Sequence, residues 1–196
     1  MGLYDRAAIV FTADHGEGLG QHRWMFHARI YNEQMHVPLI VRLPGRDGLR
    51  GKHFTEIVSL IDVLPTLAGS LGIELTAAER EQFEGIDVLG RRGREYVFAS
   101  RLLAQPADPD RRESYALAGP RWKYFLHSAG GDELFDLSND PDERRNVIRR
   151  QPQVAGKLKA LLQGQLDAYA QAAPRLRKKE AEMSETEKEQ LRQLGY

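Results

Sequence analysis

The sequence predicts an α/β fold: the last strands of a mainly parallel sheet with flanking helices, then a small C-terminal antiparallel sheet and a packed helix. Three observations carry this. Two short runs, Ala7-Ala8-Ile9-Val10-Phe11 and Val37-Pro38-Leu39-Ile40-Val41-Arg42-Leu43, are apolar almost throughout instead of alternating, the pattern of strands covered on both faces. Four more strand-length runs lie close together between residues 96 and 137, and short connections make neighbouring strands antiparallel. Val154, Leu158, Leu161, Leu162, Leu166 and Tyr169 then recur at helical spacing, which predicts an amphipathic helix of several turns.

Taken in order, the first strand runs into Thr12-Ala13-Asp14-His15-Gly16-Glu17-Gly18-Leu19-Gly20, where glycines mark a loop. Pro44-Gly45 closes the second strand. Asp62 is a helix N-cap, Pro65 falls in the first turn where its missing N–H costs little, and Leu64, Leu67, Ala68 and Leu71 share one side. Gly72 suits the residue just past the end. The meander strands are Tyr96–Ala99, Tyr115–Ala118, Trp122–Leu126 and Glu133–Leu137, the later ones separated by Pro120-Arg121 and Ser128–Gly131. Asp140-Pro141-Asp142-Glu143 has Asp, Pro and Glu placed as N-cap, N1 and N3 of a helix. After Pro174 the chain is strongly charged, with a second capping-box pattern at Ser184 and Glu187 before Leu191, Leu194 and Gly195. The expected divisions are 1–93 for the α/β part, 94–173 for the antiparallel subdomain with its helix, and 174–196 for a charged helical tail.

Composition narrows the function classes. The chain has 196 residues and 41% hydrophobic content, enough for a sizeable core, and no apolar run approaches the ~20 residues that span a bilayer. Basic and acidic residues balance at 28 each, so the overall charge points to neither nucleic acid nor an anionic membrane. The absence of cysteine excludes disulfides, Cys-based zinc sites and cysteine nucleophiles within this chain. Met1–Arg6 has neither the basic start nor the apolar stretch of a signal peptide. A buried-type strand so near Met1 leads to the expectation that Met1 is an internal start.

Four of the six histidines, His15, His22, His27 and His36, share a short window with Asp14 and Glu17 directly after a strand. Ligands in α/β folds gather at the carboxyl ends of strands. An Asp-His pair in a glycine-rich loop can offer a carboxylate oxygen and an imidazole nitrogen to one cation; the same residues also suit a solvated polar loop. Glu17 is expected to fix the loop, His36, His53 and His127 to lie on the surface, and Arg121 and Lys123 to be exposed beside a packed Trp122. The Arg175–Lys179 run reads as a solvated helix flank.

The order of these blocks resembles the bacterial type I, formylglycine-dependent sulfatases of the alkaline-phosphatase superfamily. The resemblance rests on Ile9–Glu17, Leu19–His22, Phe26-His27, Tyr31-Asn32-Glu33, Val37–Arg42, Ser59–Leu67, Trp122-Lys123-Tyr124, Glu133–Glu143 and Leu191–Tyr196, which recur in family order along nearly the whole chain. It implies an alkaline-phosphatase/sulfatase-like fold and sulfuric ester hydrolysis. It further implies Asp14 and His15 as ligands of a divalent cation, usually calcium, and His27 at the sulfate, with His22 a weaker candidate for the same pocket. A cation flanked by imidazoles can stabilise charge on the sulfate oxygens, and a protonated histidine can donate to the leaving oxygen.

Such sulfatases need a formylglycine made from Cys or Ser in a Cys/Ser-x-Pro-x-Arg segment, and none occurs in this sequence. The expectation is therefore a sulfatase fragment with part of the metal and sulfate site and little or no activity alone. A fragment of a phosphodiesterase or phosphonate monoester hydrolase, with zinc or manganese, is the alternative. A non-catalytic remnant that binds a partner through its apolar face or charged end is the third. By the same resemblance, the parent is expected in the periplasm or outside the cell and acts on a sulfate ester.

Overall fold

The computed structural model describes residues 2–90, 93–101, 112–176 and 185–186. The Ser184/Glu187 capping pattern, the Leu191–Tyr196 ending and most of the Arg175–Lys179 run lie outside the described residues. The chain forms two compact units, residues 1–159 and 160–196.

The first unit opens with a single helical turn, α1 (Leu3–Arg6), and the strand β1 (Ile9–Thr12). A long loop follows, broken by the short helix α2 (Asn32–Met35), before β2 (Leu39–Arg42). The expected parallel relation of these two strands is not what this chain forms: β1 and β2 pair antiparallel, from Ile9 opposite Arg42 to Thr12 opposite Leu39. An apolar run without alternation reports cover on both faces and carries no information about direction. In this sheet the cover is incomplete, because Phe11 and Ile40, directly opposite each other, are 60% and 63% exposed.

A helical segment starts one turn earlier than Asp62 alone implies. Ser59 and Asp62 form a capping box around a 3-10 turn, Leu60–Asp62, that leads into α3 (Val63–Leu71). Gly72 ends α3 in the left-handed conformation. Thr66 and Ala68 are the buried positions of α3, whereas Leu64 and Leu71 of the predicted apolar side are exposed. The turn-length α4 (Ala77–Arg80) follows, capped by Thr76 and Glu79.

The meander forms as predicted. Strands β3 (Val97–Arg101), β4 (Ser114–Ala118), β5 (Trp122–His127) and β6 (Glu133–Asp136) pair antiparallel in that order. Two-residue alternation puts Lys123, Phe125 and His127 on one face, opposite Ala118, Ala116 and Ser114 of β4. Phe125, Phe135 and Ala116 pack there with Ile30 and Tyr31 from the β1–β2 loop, so the meander core is completed by the histidine-bearing loop.

The 140–143 segment does not start a helix. It makes a turn, with Asp140 accepting from the backbone of Arg144 and Arg145. Glu143 takes a positive φ of 53° and turns its carboxylate inward, so it cannot serve at N3. The long helix α5 begins later, at Pro152, and its backbone continues through Pro174 to Leu176. Lys159 of α5 and the Tyr124 hydroxyl both donate to Asp132, tying the helix start to the β5–β6 hairpin. Residues from Ala160 onward form the second unit, which within α5 carries a Gln163–Asp167 side-chain bond. No helix of the described residues is long and apolar enough to cross a membrane.

Candidate metal and sulfate site

The loop after β1 is shaped by its glycines and by α2. The Gly16 N–H donates to the Gln34 carbonyl at 2.8 Å, and a Cβ at Gly16 would run into the Glu33 carbonyl. Gly18 bonds to Phe26 and Gly20 to Trp24, which folds 16–20 against 24–26 as a tight double-back. Gln34 is fully buried and also accepts from the Arg29 backbone at 2.6 Å. His22, Arg23 and Ala28 all adopt left-handed φ, a conformation that costs a non-glycine residue ~1–2 kcal/mol. Three such residues in seven mark a loop held in shape by its surroundings.

This folding brings His15, Glu17 and His27 together, with one ligand atom of each within 4.8 Å of the others. The His15 and His27 rings lie 4.6 Å apart. Glu17 Oε1 accepts from His27 Nδ1 at 2.9 Å, with both side chains about half exposed. That bond places the His27 proton on Nδ1 and presents Nε2 as its other functional atom. Asp14 Oδ1 accepts the His15 N–H at 3.0 Å, and its Oδ2 lies 3.7 Å from His15 Nε2. Asp14 and His15 can thus meet one cation. Glu17, read from sequence as a loop anchor, does anchor His27 and also stands among the possible ligands.

His22 sits elsewhere in the loop's architecture. Its Nδ1 is 2.8 Å from Glu33 Oε1 and its Nε2 is 3.0 Å from the Glu143 carbonyl. Both partners are pure acceptors, so both ring nitrogens carry protons and His22 is an imidazolium. Burial opposes the charge, but the Glu33 and Glu143 bonds outweigh it and raise the His22 pKa. With both nitrogens committed, His22 braces the loop in this structure and is not among the three converging groups.

Two basic-residue expectations are corrected. Lys123 is buried, with Nζ 2.8 Å from Glu143 Oε1 and 3.0 Å from Asn32 Oδ1; strand alternation puts it on the Phe125 face. His127 is buried too, between Ser114 Oγ at 2.7 Å and Glu133 at 3.3 Å. Glu133 also accepts the Tyr31 hydroxyl at 2.8 Å. Arg121 is exposed, stacked over Trp122 and paired with Asp136, and His36 and His53 are exposed. Sequence reasoning gives Glu143 a helix N3 position and Asp62 an N-cap, and finds neither the contacts of Glu33 and Glu143 with His22 nor the Asp62–Arg94 pair; period-two alternation in β5 is the signal that could have found Lys123.

A cleft of about 610 Å³ is lined by Phe54, Ile57, Asp87, Leu89 and Arg94 and holds none of these loop side chains. Arg46 and Glu56 also line it, while Asp87 bonds the Leu89 and Gly90 backbone and Arg94 bonds Asp62.

Comparison with known proteins places the chain among sulfatases. The family described as N-sulphoglucosamine sulphohydrolase, C-terminal, matches residues 20–172. Arylsulfatase K of Gallus gallus is 33% identical over 173 residues, 82% of this chain and 31% of that protein. A solved structure of a 2-O GAG sulfatase superposes with a TM-score of 0.69 at 25% identity, covering 90% of this chain and 39% of that one. The phosphonate monoester hydrolase of Agrobacterium radiobacter shares the fold, at 24% identity and a TM-score of 0.67 over 85% of this chain and 36% of that one. The chain spans about 30% of the length of the curated relatives it matches.

Proposed function

The chain belongs to the N-sulphoglucosamine sulphohydrolase C-terminal family of sulfatases, and from that premise we propose that its 14–27 loop is one part of a sulfuric ester hydrolase site. The observation that carries the reading is the convergence of His15, Glu17 and His27 beside Asp14, directly after a strand end. Asp14 and His15 hold a divalent cation, with Glu17 within reach of the same space. The cation supplies charge stabilisation to the sulfate oxygens when bound. Calcium, which the resemblance implies, takes ~6–8 oxygens, more than Asp14 and Glu17 offer, so further oxygen ligands must come from outside this loop. Carboxylates with one imidazole, the set left when His27 faces the sulfate, also suit manganese or zinc, and a titration with each ion distinguishes them.

His27 faces the sulfate in this reading. Its Nδ1–H is held by Glu17, which orients the ring; once Nε2 is protonated as well, it can donate to a sulfate oxygen or give its proton to the leaving alkoxide. The nucleophile must come from outside these 196 residues, since they include no Cys and no Ser that precedes x-Pro-x-Arg. Accordingly the 196-residue chain alone turns over no ester.

The test is release of sulfate from 4-nitrophenyl sulfate, and of product from a phenylphosphonate ester, by the chain alone and by the chain produced with a formylglycine-bearing N-terminal portion. Sulfate release only in the second case, abolished by His27→Ala, supports the reading. Enzyme-like turnover by the chain alone, or preference for the phosphonate ester, overturns it.

A further inference from the structure

We propose that Lys123 and Glu143, on the meander subdomain far along the chain, are positioning residues for the 14–27 loop. They act through Asn32 and α2 and do not touch the converging histidines. The proposal builds on the placement of the site in this loop, but the geometry it invokes is independent of the reaction assigned there.

The mechanical path is continuous. Lys123 and Glu143 form an ion pair at 2.8 Å with side chains 2% and 0% exposed. Glu143 Oε2 accepts the Asn32 backbone N–H at 2.6 Å, and Lys123 Nζ donates to the Asn32 side chain at 3.0 Å. The pair therefore grips the first residue of α2 by both its backbone and its side chain. The Glu143 carbonyl accepts from His22 Nε2, and Glu33, the second residue of α2, holds His22 Nδ1. Four charges, on His22, Glu33, Lys123 and Glu143, balance to zero at the joint between loop and subdomain.

From α2 the path reaches the site in one step. Gln34 holds the Gly16 N–H, between His15 and Glu17, and also the Arg29 N–H. Arg29 donates to the His22 carbonyl and lies over the Trp24 ring. Trp24 Nε1 donates to the His27 carbonyl at 2.7 Å. Both strands of the loop that carry converging residues thus hang on α2, and α2 is set by the buried pair. Its burial explains its use: removed from water, an ion pair tolerates little variation in geometry.

The test uses the full chain and a spectroscopic signature that loss of global stability alone does not move. In the native protein the ring protons of His15 and His27, whose centroids are 4.6 Å apart, give a nuclear Overhauser contact, and the Gly16 amide is protected from exchange. The double variant Lys123→Met/Glu143→Leu removes both charges together, so no uncompensated charge is left buried. The expected result is loss of the His15–His27 contact and of Gly16 protection while amides of β4 and β5 stay protected. Retention of both signals in a variant with an intact sheet overturns the proposal. Should the double variant fail to fold, Asn32→Ala leaves the ion pair whole and cuts its side-chain link to α2. A weakened His15–His27 contact is expected there, and an unchanged contact overturns the proposal. Neither measurement uses a sulfate ester or a metal, so failure of the enzymatic reading leaves this one standing, and the reverse.

Discussion

The His22 ring lies flat on the ring of Tyr31, centroids 3.7 Å apart and planes 4° from parallel, while its two nitrogens reach Glu33 and Glu143. A cation stacked on an aromatic face and bonded to two acceptors is stabilised in its charged form. The folded pKa of His22 is raised above its ordinary 6.5. Its contribution to stability is therefore complete below about 6.5 and is lost as pH rises through the raised value. Glu33 has the opposite sense: its pKa is lowered from 4.5 despite burial, because His22 bonds it, so its contribution is lost as pH falls. Urea unfolding followed from about pH 6 to pH 9 should show a falling midpoint in the native chain. In His22→Phe, which keeps the stack, that slope should flatten. An equal slope in both would remove His22 as its source.

Gly16 approaches the α2 backbone too closely for any side chain. Gly16→Ala should lower stability by about 1–3 kcal/mol, as overpacking against fixed backbone does, and should separate His15 from His27. Gly48, with open space around its Cβ position and no left-handed φ, is the control: Gly48→Ala should stay within about 0.5 kcal/mol. Equal midpoints for the two variants would contradict the packing argument.

Much of this architecture was legible in the residues, and the exceptions share a cause. The meander strands are found within a residue or two of their predicted places because alternation and tight turns are local signals. Gly72 ends α3 for the same local reason. Direction was not local: the apolar runs of β1 and β2 announced cover without saying that the strands pair antiparallel. The burial of Lys123, His127 and Glu143 was missed because the bonds around these groups join residues far apart in sequence, up to 121 positions between the His22 ring and the Glu143 carbonyl. Asp140-Pro141-Asp142-Glu143 looked like a helix start since every local preference agreed, yet pairing with Lys123 drew Glu143 inward. At the site, family resemblance picked out His27 and His15, while their convergence with Glu17 required the fold.

Asp62 and Arg94 give a second buried ion pair with a separable test. Arg94 donates through Nε and Nη2 to an Asp62 carboxylate that is 1% exposed and also accepts from Ser59 and Ile86 backbone N–H groups. Burial alone would raise the Asp62 pKa, but these bonds hold it below 3.8, so the stabilisation is present above that value and lost as pH falls further. Arg94→Met strands the carboxylate and should cost about 3–5 kcal/mol. The urea midpoint measures it; a loss under about 1 kcal/mol would show that solvent reaches Asp62 once the arginine is gone.

The exposed pairing of Phe11 with Ile40 bears on the proposed function. A two-stranded sheet is marginal alone in water, and Ile9 and Val41 add apolar exposure of 40% each on its two faces. If β1 and β2 belong to a larger sulfatase sheet, the polypeptide that supplies the nucleophile must also cover these side chains. Phe11→Asp/Ile40→Glu should then leave the meander intact, because neither residue belongs to its core. Mixed with a formylglycine-bearing N-terminal portion, the variant should associate at least about tenfold more weakly than the native chain, a loss of ~1.4 kcal/mol or more. Sedimentation of the two mixtures measures the association, and circular dichroism checks the meander. Undiminished association of the variant would show that the sheet is completed some other way, and the site would have to draw its remaining ligands across a different surface.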